Sequence, residues 1–180
     1  MDFVTQLAGV QAQAAQYFSS LPAAKLNWKP QPDKWSIGQC LHHLIVSDST
    51  YIDTFDRLLN GSYKLPLVQR LNPFKKALGP MMIKTLSPEP KKKFKAPALF
   101  RPAESSLPAD IVPRFIDHEE NMKGYFQKLS LLDTNGIVIT SPVSAVISYS
   151  LADCMQIIVN HGQRHLNQAK NILDHPKFPS

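Results

Sequence analysis

The sequence predicts an all-α protein that folds as a four-helix bundle with a long proline-rich crossover between its second and third helices. Several windows carry apolar residues at three- and four-residue steps, which is the pattern of a helix that buries one face. Alternating β-branched stretches are few, only seven glycines occur, and the fifteen prolines fall mostly between these windows. With 180 residues, 43% of them hydrophobic, the chain is long enough to form one domain over residues 1–180.

Two helices are predicted in the first third of the chain. The first covers residues 3–21, and a proline-interrupted connection follows over residues 24–34. The segment Ser36-Ile-Gly-Gln39 has the serine and the third-position glutamine of a capping box, so a second helix should begin there. It continues to about Leu59 and stops at Asn60-Gly61.

Residues 62–108 form the predicted crossover, because their eight prolines exclude a long helix. A short helix is expected over residues 74–86, and an extended piece packed on the bundle over residues 97–102. The basic stretch from Lys91 to Arg101 is interpreted either as a lid or anion-attracting rim of a site, or as solvated surface.

Two further helices follow the crossover. The third runs from about Asp110 to Leu131, with Pro113 in its first turn, where a proline is tolerated. A short apolar stretch, residues 137–147, leads to a second capping box, Ser150-Leu-Ala-Asp153, which begins the fourth helix.

The fourth helix carries the strongest functional signal, a pair of histidines four residues apart. His161 and His165 project from one face a turn apart, with His165 near the centre of the apolar stripe and His161 at its flank. Inward-facing imidazoles need partners, and either a shared metal ion or hydrogen bonds to neighbouring groups would serve. A tight metal site also requires a third ligand from elsewhere in the chain.

Composition narrows the classes of function. The net charge of +6 is spread along the chain apart from Lys91-Lys92-Lys93 and Lys95, and no helix-turn-helix or aromatic platform is evident, which argues against nucleic-acid binding. No signal peptide and no apolar run of about 18 residues occur, so we expect a soluble, cytoplasmic protein without a membrane partner. Cys40 and Cys154 are expected to be free thiols in the core.

Two motifs give the chain a family resemblance. Trp35-Ser-Ile-Gly-Gln-Cys-Leu-His-His43-Leu44 early and His161-x-x-x-His165-x-x-Gln168 late resemble the DinB-like superfamily of small bacterial four-helix metalloproteins. Residues 94–102 look like the crossover of the branch that contains bacillithiol transferases.

The resemblance implies a metal centre with three histidine ligands, one from the second helix and two from the fourth. In this chain they are His43, His161 and His165, and they would hold a divalent metal (Zn, Ni or Mn) with open coordination positions. Helical periodicity does not find His43, which lies about 120° from the centre of its helix's apolar stripe. A site at the rim of the bundle is therefore expected, with His118 as a spare ligand.

The implied function is that of a metal-dependent thiol S-transferase or hydrolase acting on a small electrophilic substrate, with a low-molecular-weight thiol as co-substrate. The alternative is a non-catalytic metal-binding or stress-related module, because no acidic residue flanks the histidine pair and no catalytic residue is evident. Gln168 and Asp48 are candidates for orienting an imidazole, whereas Arg164 is expected to face outward. A homodimer through apolar residues of the first helix is a further expectation.

Overall fold

The computed structural model describes residues 2–88, 100 and 106–179, and within them the chain is mostly helical with one small sheet. The elements are α1 (Phe3–Phe18), α2 (Ala23–Leu26), α3 (Ile37–Ser49), α4 (Ile52–Leu59), α5 (Leu67–Leu71), α6 (Leu78–Thr85), α7 (Ile111–Leu129), β1 (Val138–Ser141), β2 (Ser144–Ser150) and α8 (Leu151–Leu173). The long helices α1 and α3 each pack against both α7 and α8. No helix in these ranges is long and apolar enough to cross a membrane.

Both predicted capping boxes are present at the starts of long helices. The Ser36 side chain accepts from the backbone N–H of Gln39, while the Gln39 side chain accepts from the backbone N–H of Ser36 at 3.1 Å. Ser150 and Asp153 make the same reciprocal pair at the start of α8. These caps fix where α3 and α8 begin, and with them the position of every histidine discussed below.

The predicted second helix is not continuous. It divides into α3 and α4 at Thr50 and Tyr51. The Thr50 hydroxyl donates to the Ser47 carbonyl at 2.5 Å, and the Tyr51 N–H bonds the Asp48 carbonyl three residues back. Hydroxyl side chains that bond the preceding turn compete with the helical ladder, which explains the interruption.

The all-α prediction also missed a β-hairpin. The stretch expected only to be apolar forms β1 and β2, which pair antiparallel with Val138 opposite Ser150. The Gln69 side chain of α5 donates to the Ala145 carbonyl of β2 at 2.6 Å. The hairpin is therefore held partly by distant residues, whose contacts the local sequence pattern does not contain.

In the described part of the connection between α4 and α7 there are two helices, α5 and α6, where one was predicted over residues 74–86. The predicted extended piece, residues 97–102, and the basic stretch from Lys91 to Arg101 lie outside the described residues, apart from Phe100.

The expected dimer through the first helix stays a prediction. Among the described residues, α1 carries none of the exposed large apolar side chains, which are Leu67, Val68, Leu71, Phe74, Met81, Leu131, Val143 and Val146.

The interior is divided into two apolar clusters by a polar layer. One cluster contains Leu44 of α3 and Phe115 of α7, and the other contains Tyr51, which follows α3, and Met122 of α7. The residues between these positions therefore separate the two clusters. On α8 the same boundary falls between residues 159 and 166. We define the polar layer as Asp48, His118, Glu119, His161 and His165. Asp48, Glu119 and His165 are buried, and His118 and His161 are half-buried. Removing so many ionisable groups from water is costly unless they have partners.

Candidate metal centre

Three imidazoles meet where α3 packs on α8. His43 comes from the second turn of α3, and His161 and His165 come from successive turns of α8. One nitrogen from each ring can be chosen so that all three lie within 4.8 Å of one another. The structure therefore brings together the three histidines that the resemblance implied.

The spacing of the nitrogens suits a small cation. Nε2 of His43 lies 3.1 Å from Nε2 of His161. Two nitrogens bound to one zinc ion at about 2.0–2.1 Å would be separated by about 2.9 to 3.4 Å, depending on the angle at the metal. This pair thus already has the separation of two ligands, and His165 lies within reach through a side-chain adjustment.

A hydrogen bond orients the His43 ring. Its Nδ1 lies 2.6 Å from the backbone carbonyl oxygen of Phe100, which can only accept, so Nδ1 carries the proton. In the neutral ring the lone pair then resides on Nε2, which faces His161. A histidine ligand is commonly held in its binding tautomer by such a bond from its other nitrogen.

His43 is buried, with 3% of its surface exposed, and does not lie at a rim as the helical wheel had indicated. The reason is that α3 packs on both α7 and α8, so it buries a wider arc than its apolar stripe. Phe100 covers the ring from the chain segment before α7.

Burial keeps all three imidazoles neutral near pH 7. It is the main cause that lowers the pKa of His43, and it lowers the pKa of His161 to about 3, with further contributions from His43 and Arg164. Burial also holds the pKa of His165 well below its usual range. Neutral imidazole is the form that binds a metal, so these rings need not lose a proton before doing so.

Trp35 completes the wall of the centre, and sequence reasoning assigned it no role beyond the motif. Its ring stacks on His165 at a centroid distance of 5.5 Å and lies tilted against His43 at 4.9 Å. Trp35 immediately precedes the capping serine of α3, so the cap that starts the helix also positions this ring.

A cavity of about 510 Å³ opens beside the imidazoles. Arg164 lines it, with Nη1 donating to the Thr85 carbonyl at 2.9 Å, so the expectation that Arg164 faces outward is wrong. The helix α6 packs on α8, so the Thr85 carbonyl of α6 lies where it can bind the Arg164 guanidinium beside the site. Gln168 also lines the cavity, and its side chain hydrogen-bonds His165 and raises the pKa of that ring slightly against the dominant effect of burial.

Two other candidates lie elsewhere in the polar layer. His118 groups with Asp48 and Glu119 and not with the three converging histidines, so the structure does not place it as the spare ligand. Asp48 lines the cavity but makes no hydrogen bond to any of the three rings in the described part of the chain. Cys40 and Cys154 are free and buried, as predicted, and burial raises the pKa of both thiols.

The donor set fits a divalent metal. Nδ1 of His165 is buried without a hydrogen-bond partner, and Nε2 of His43 is directed at another imidazole nitrogen. A metal ion would satisfy such lone pairs, and three neutral imidazoles are a set that zinc, nickel and manganese accept while keeping open positions.

The fold and the site together define a mostly helical protein with a candidate three-histidine metal centre facing a cavity. Residues 6–169 match the family model of the DinB superfamily, so the chain belongs to that superfamily. The match includes all three histidines. No curated protein and no solved structure shows a significant match to the chain.

Proposed function

We propose that the protein binds one divalent metal ion through His43, His161 and His165 in a four-helix core, and that it uses the ion to join a thiol to, or to hydrolyse, a small electrophilic substrate. The observation that carries the proposal is the convergence of three neutral imidazoles on one side of a cavity large enough for a small molecule. A closed structural site would instead surround its ion with four protein ligands.

A divalent ion held there would supply Lewis-acid chemistry, polarising a carbonyl or epoxide oxygen and favouring the ionised form of a thiol or water. The protein supplies orientation. Arg164 presents a guanidinium at the cavity wall, where it would hold an anionic group of the substrate. The apolar part of the lining, which includes Met82 and Ile157, would exclude water from the reacting atoms.

Asp48 supports an enzyme over a passive binding module. The sequence shows no acidic neighbour of the histidine pair, but the fold brings this carboxyl to the cavity wall from α3. In the cation-free protein, burial holds the pKa of Asp48 well above its usual range, so this carboxyl holds a proton more readily than an exposed one does. The alternative, a metal-binding module without turnover, predicts no reaction above the metal-free background.

Metal content tests the ligand assignment. Elemental analysis of the purified, untagged protein should find bound metal, of which about one equivalent is lost in each of His43→Ala, His161→Ala and His165→Ala. His175→Ala is the matched control, because this histidine does not line the cavity. A triple alanine variant that contains as much metal as the unchanged protein would show that these residues are not the ligands.

Turnover tests the chemistry. The metal-loaded protein is mixed with epoxide and ester substrates, with and without a low-molecular-weight thiol. We expect turnover that disappears in His161→Ala and that prefers anionic substrates, a preference that Arg164→Gln should weaken. Equal rates with loaded and metal-free protein would leave the binding module as the better description.

A further inference from the structure

We propose that Asp48, His118 and Glu119 form a second divalent-cation site, separate from the three-histidine centre, in the part of the polar layer where α3 packs on α7. One ligand atom from each of these side chains can be chosen so that all lie within 4.8 Å of one another. Asp48 comes from α3, while His118 and Glu119 are adjacent on α7, two helices that are in contact.

Two side chains of this cluster have a buried polar atom without a hydrogen-bond partner. Glu119 is 1% exposed, and its Oε2 has no hydrogen-bond partner. Nε2 of His118 is likewise buried without a partner. A buried acceptor without a partner is unfavourable by itself, and two in adjacent side chains of one cluster require a common explanation. A cation between them would satisfy both.

The buried carboxyl groups of this cluster also favour a bound cation. Asp48 is 2% exposed, and no described lysine or arginine forms an ion pair with it or with Glu119. Two neighbouring buried carboxyls must therefore either take up protons or bind a cation.

The ligand set indicates the kind of cation. Two carboxylates and one imidazole suit manganese, iron or zinc better than calcium, which prefers oxygen ligands alone. The ion has a route to the site, because Asp48 also lines the cavity beside the three-histidine centre. The two proposed sites share no ligand, so each can be emptied without removing the ligands of the other.

The test uses Mn²⁺ as the probe and the full chain with His43, His161 and His165 all replaced by alanine, which removes the first site. Equilibrium dialysis should find about one equivalent of Mn²⁺ bound, and adding Glu119→Gln should abolish it. Glu120→Gln, at the exposed neighbouring position on α7, is the matched control and should bind as the triple variant does. Mn²⁺ should also raise the Tm of the triple variant but not of its Glu119→Gln derivative.

The same substitution is also made in the protein that keeps all three histidines, so that the test does not depend on folding of the triple variant. In the otherwise unchanged protein, Glu119→Gln should lower bound Mn²⁺ from about two equivalents to about one, with the three-histidine site retained. If Glu119→Gln leaves the stoichiometry unchanged in both backgrounds, the carboxyls are protonated and the second site does not exist. If only the three-histidine variants lose metal, the first proposal stands and this one fails.

Discussion

The metal-free protein should lose stability steeply as the pH falls below about 6.5, because imidazoles of the polar layer cannot take up protons while the chain is folded. In the unfolded chain a histidine binds a proton near its ordinary pKa of about 6.5. In the folded chain burial lowers the pKa of His161 to about 3 and that of His118 to about 4. The unfolded state therefore binds more protons between these values, so stability is complete above pH 6.5 and declines toward acid.

The size of the effect follows from the two pKa values. At pH 5 each of these histidines is protonated in the unfolded chain and neutral in the folded one, which lowers the free energy of unfolding by about 2 kcal/mol per histidine relative to pH 8. Together His161 and His118 account for about 4 kcal/mol, a large part of the ~5–15 kcal/mol available to a protein of this kind.

The assay is urea unfolding at pH 8 and pH 5 in the presence of a chelator. His161→Gln should lose about 2 kcal/mol less than the unchanged protein between the two pH values. Comparing differences between pH values cancels the other titrating groups, which both proteins share. Asn167→Ala is the control, since this residue lies on α8 outside the cavity lining and does not titrate.

The result that would refute the reasoning is an equal loss of stability in His161→Gln and in the unchanged protein. The imidazole would then take up its proton in the folded state, which requires a hydrated site in place of the water-poor one inferred from its burial.

Two further predictions concern packing. Trp35→Leu should weaken metal binding about tenfold, because this ring packs against two of the proposed ligands. Trp28→Leu, whose ring packs against Phe178, should leave the metal affinity unchanged, and isothermal titration with Zn²⁺ measures both variants. Gly124→Ala on α7 should raise the free energy of unfolding by about 0.5–1 kcal/mol, because a Cβ there meets nothing within 4 Å. Gly162→Ala should be less stable than Gly124→Ala, because its Cβ would lie 3.2 Å from Val10 Cγ1, which would have to move aside. Equal gains in both variants by urea unfolding would contradict this account.

What the sequence predicted well was local in origin. The capping boxes at Ser36 and Ser150 place the starts of α3 and α8 within a few residues, because each box is a reciprocal pair of bonds between residues three apart. The pairing of His161 with His165 follows for the same reason, since both lie on one helix and its period sets their common face.

Features that depend on distant contacts were harder to predict. Periodicity did not find His43 because it considers only apolar residues, whereas α3 also buries polar side chains where it packs against α8. The resemblance identified this histidine. The hairpin was missed because its strands are short and are supported by α5 and α6.

The sequence alone determined the mostly helical class and the membership in the DinB superfamily, because helix caps, periodicity and motif spacing are encoded over a few residues. The resemblance to that family singled out the three histidines as candidate ligands. Only the tertiary structure decided that Arg164 turns into the cavity, that Trp35 packs on the imidazoles, and that Asp48 meets Glu119. Each of these contacts joins elements that are far apart in the chain. The packing of the whole core decides which faces of two helices meet, and the residue pattern of either helix alone does not.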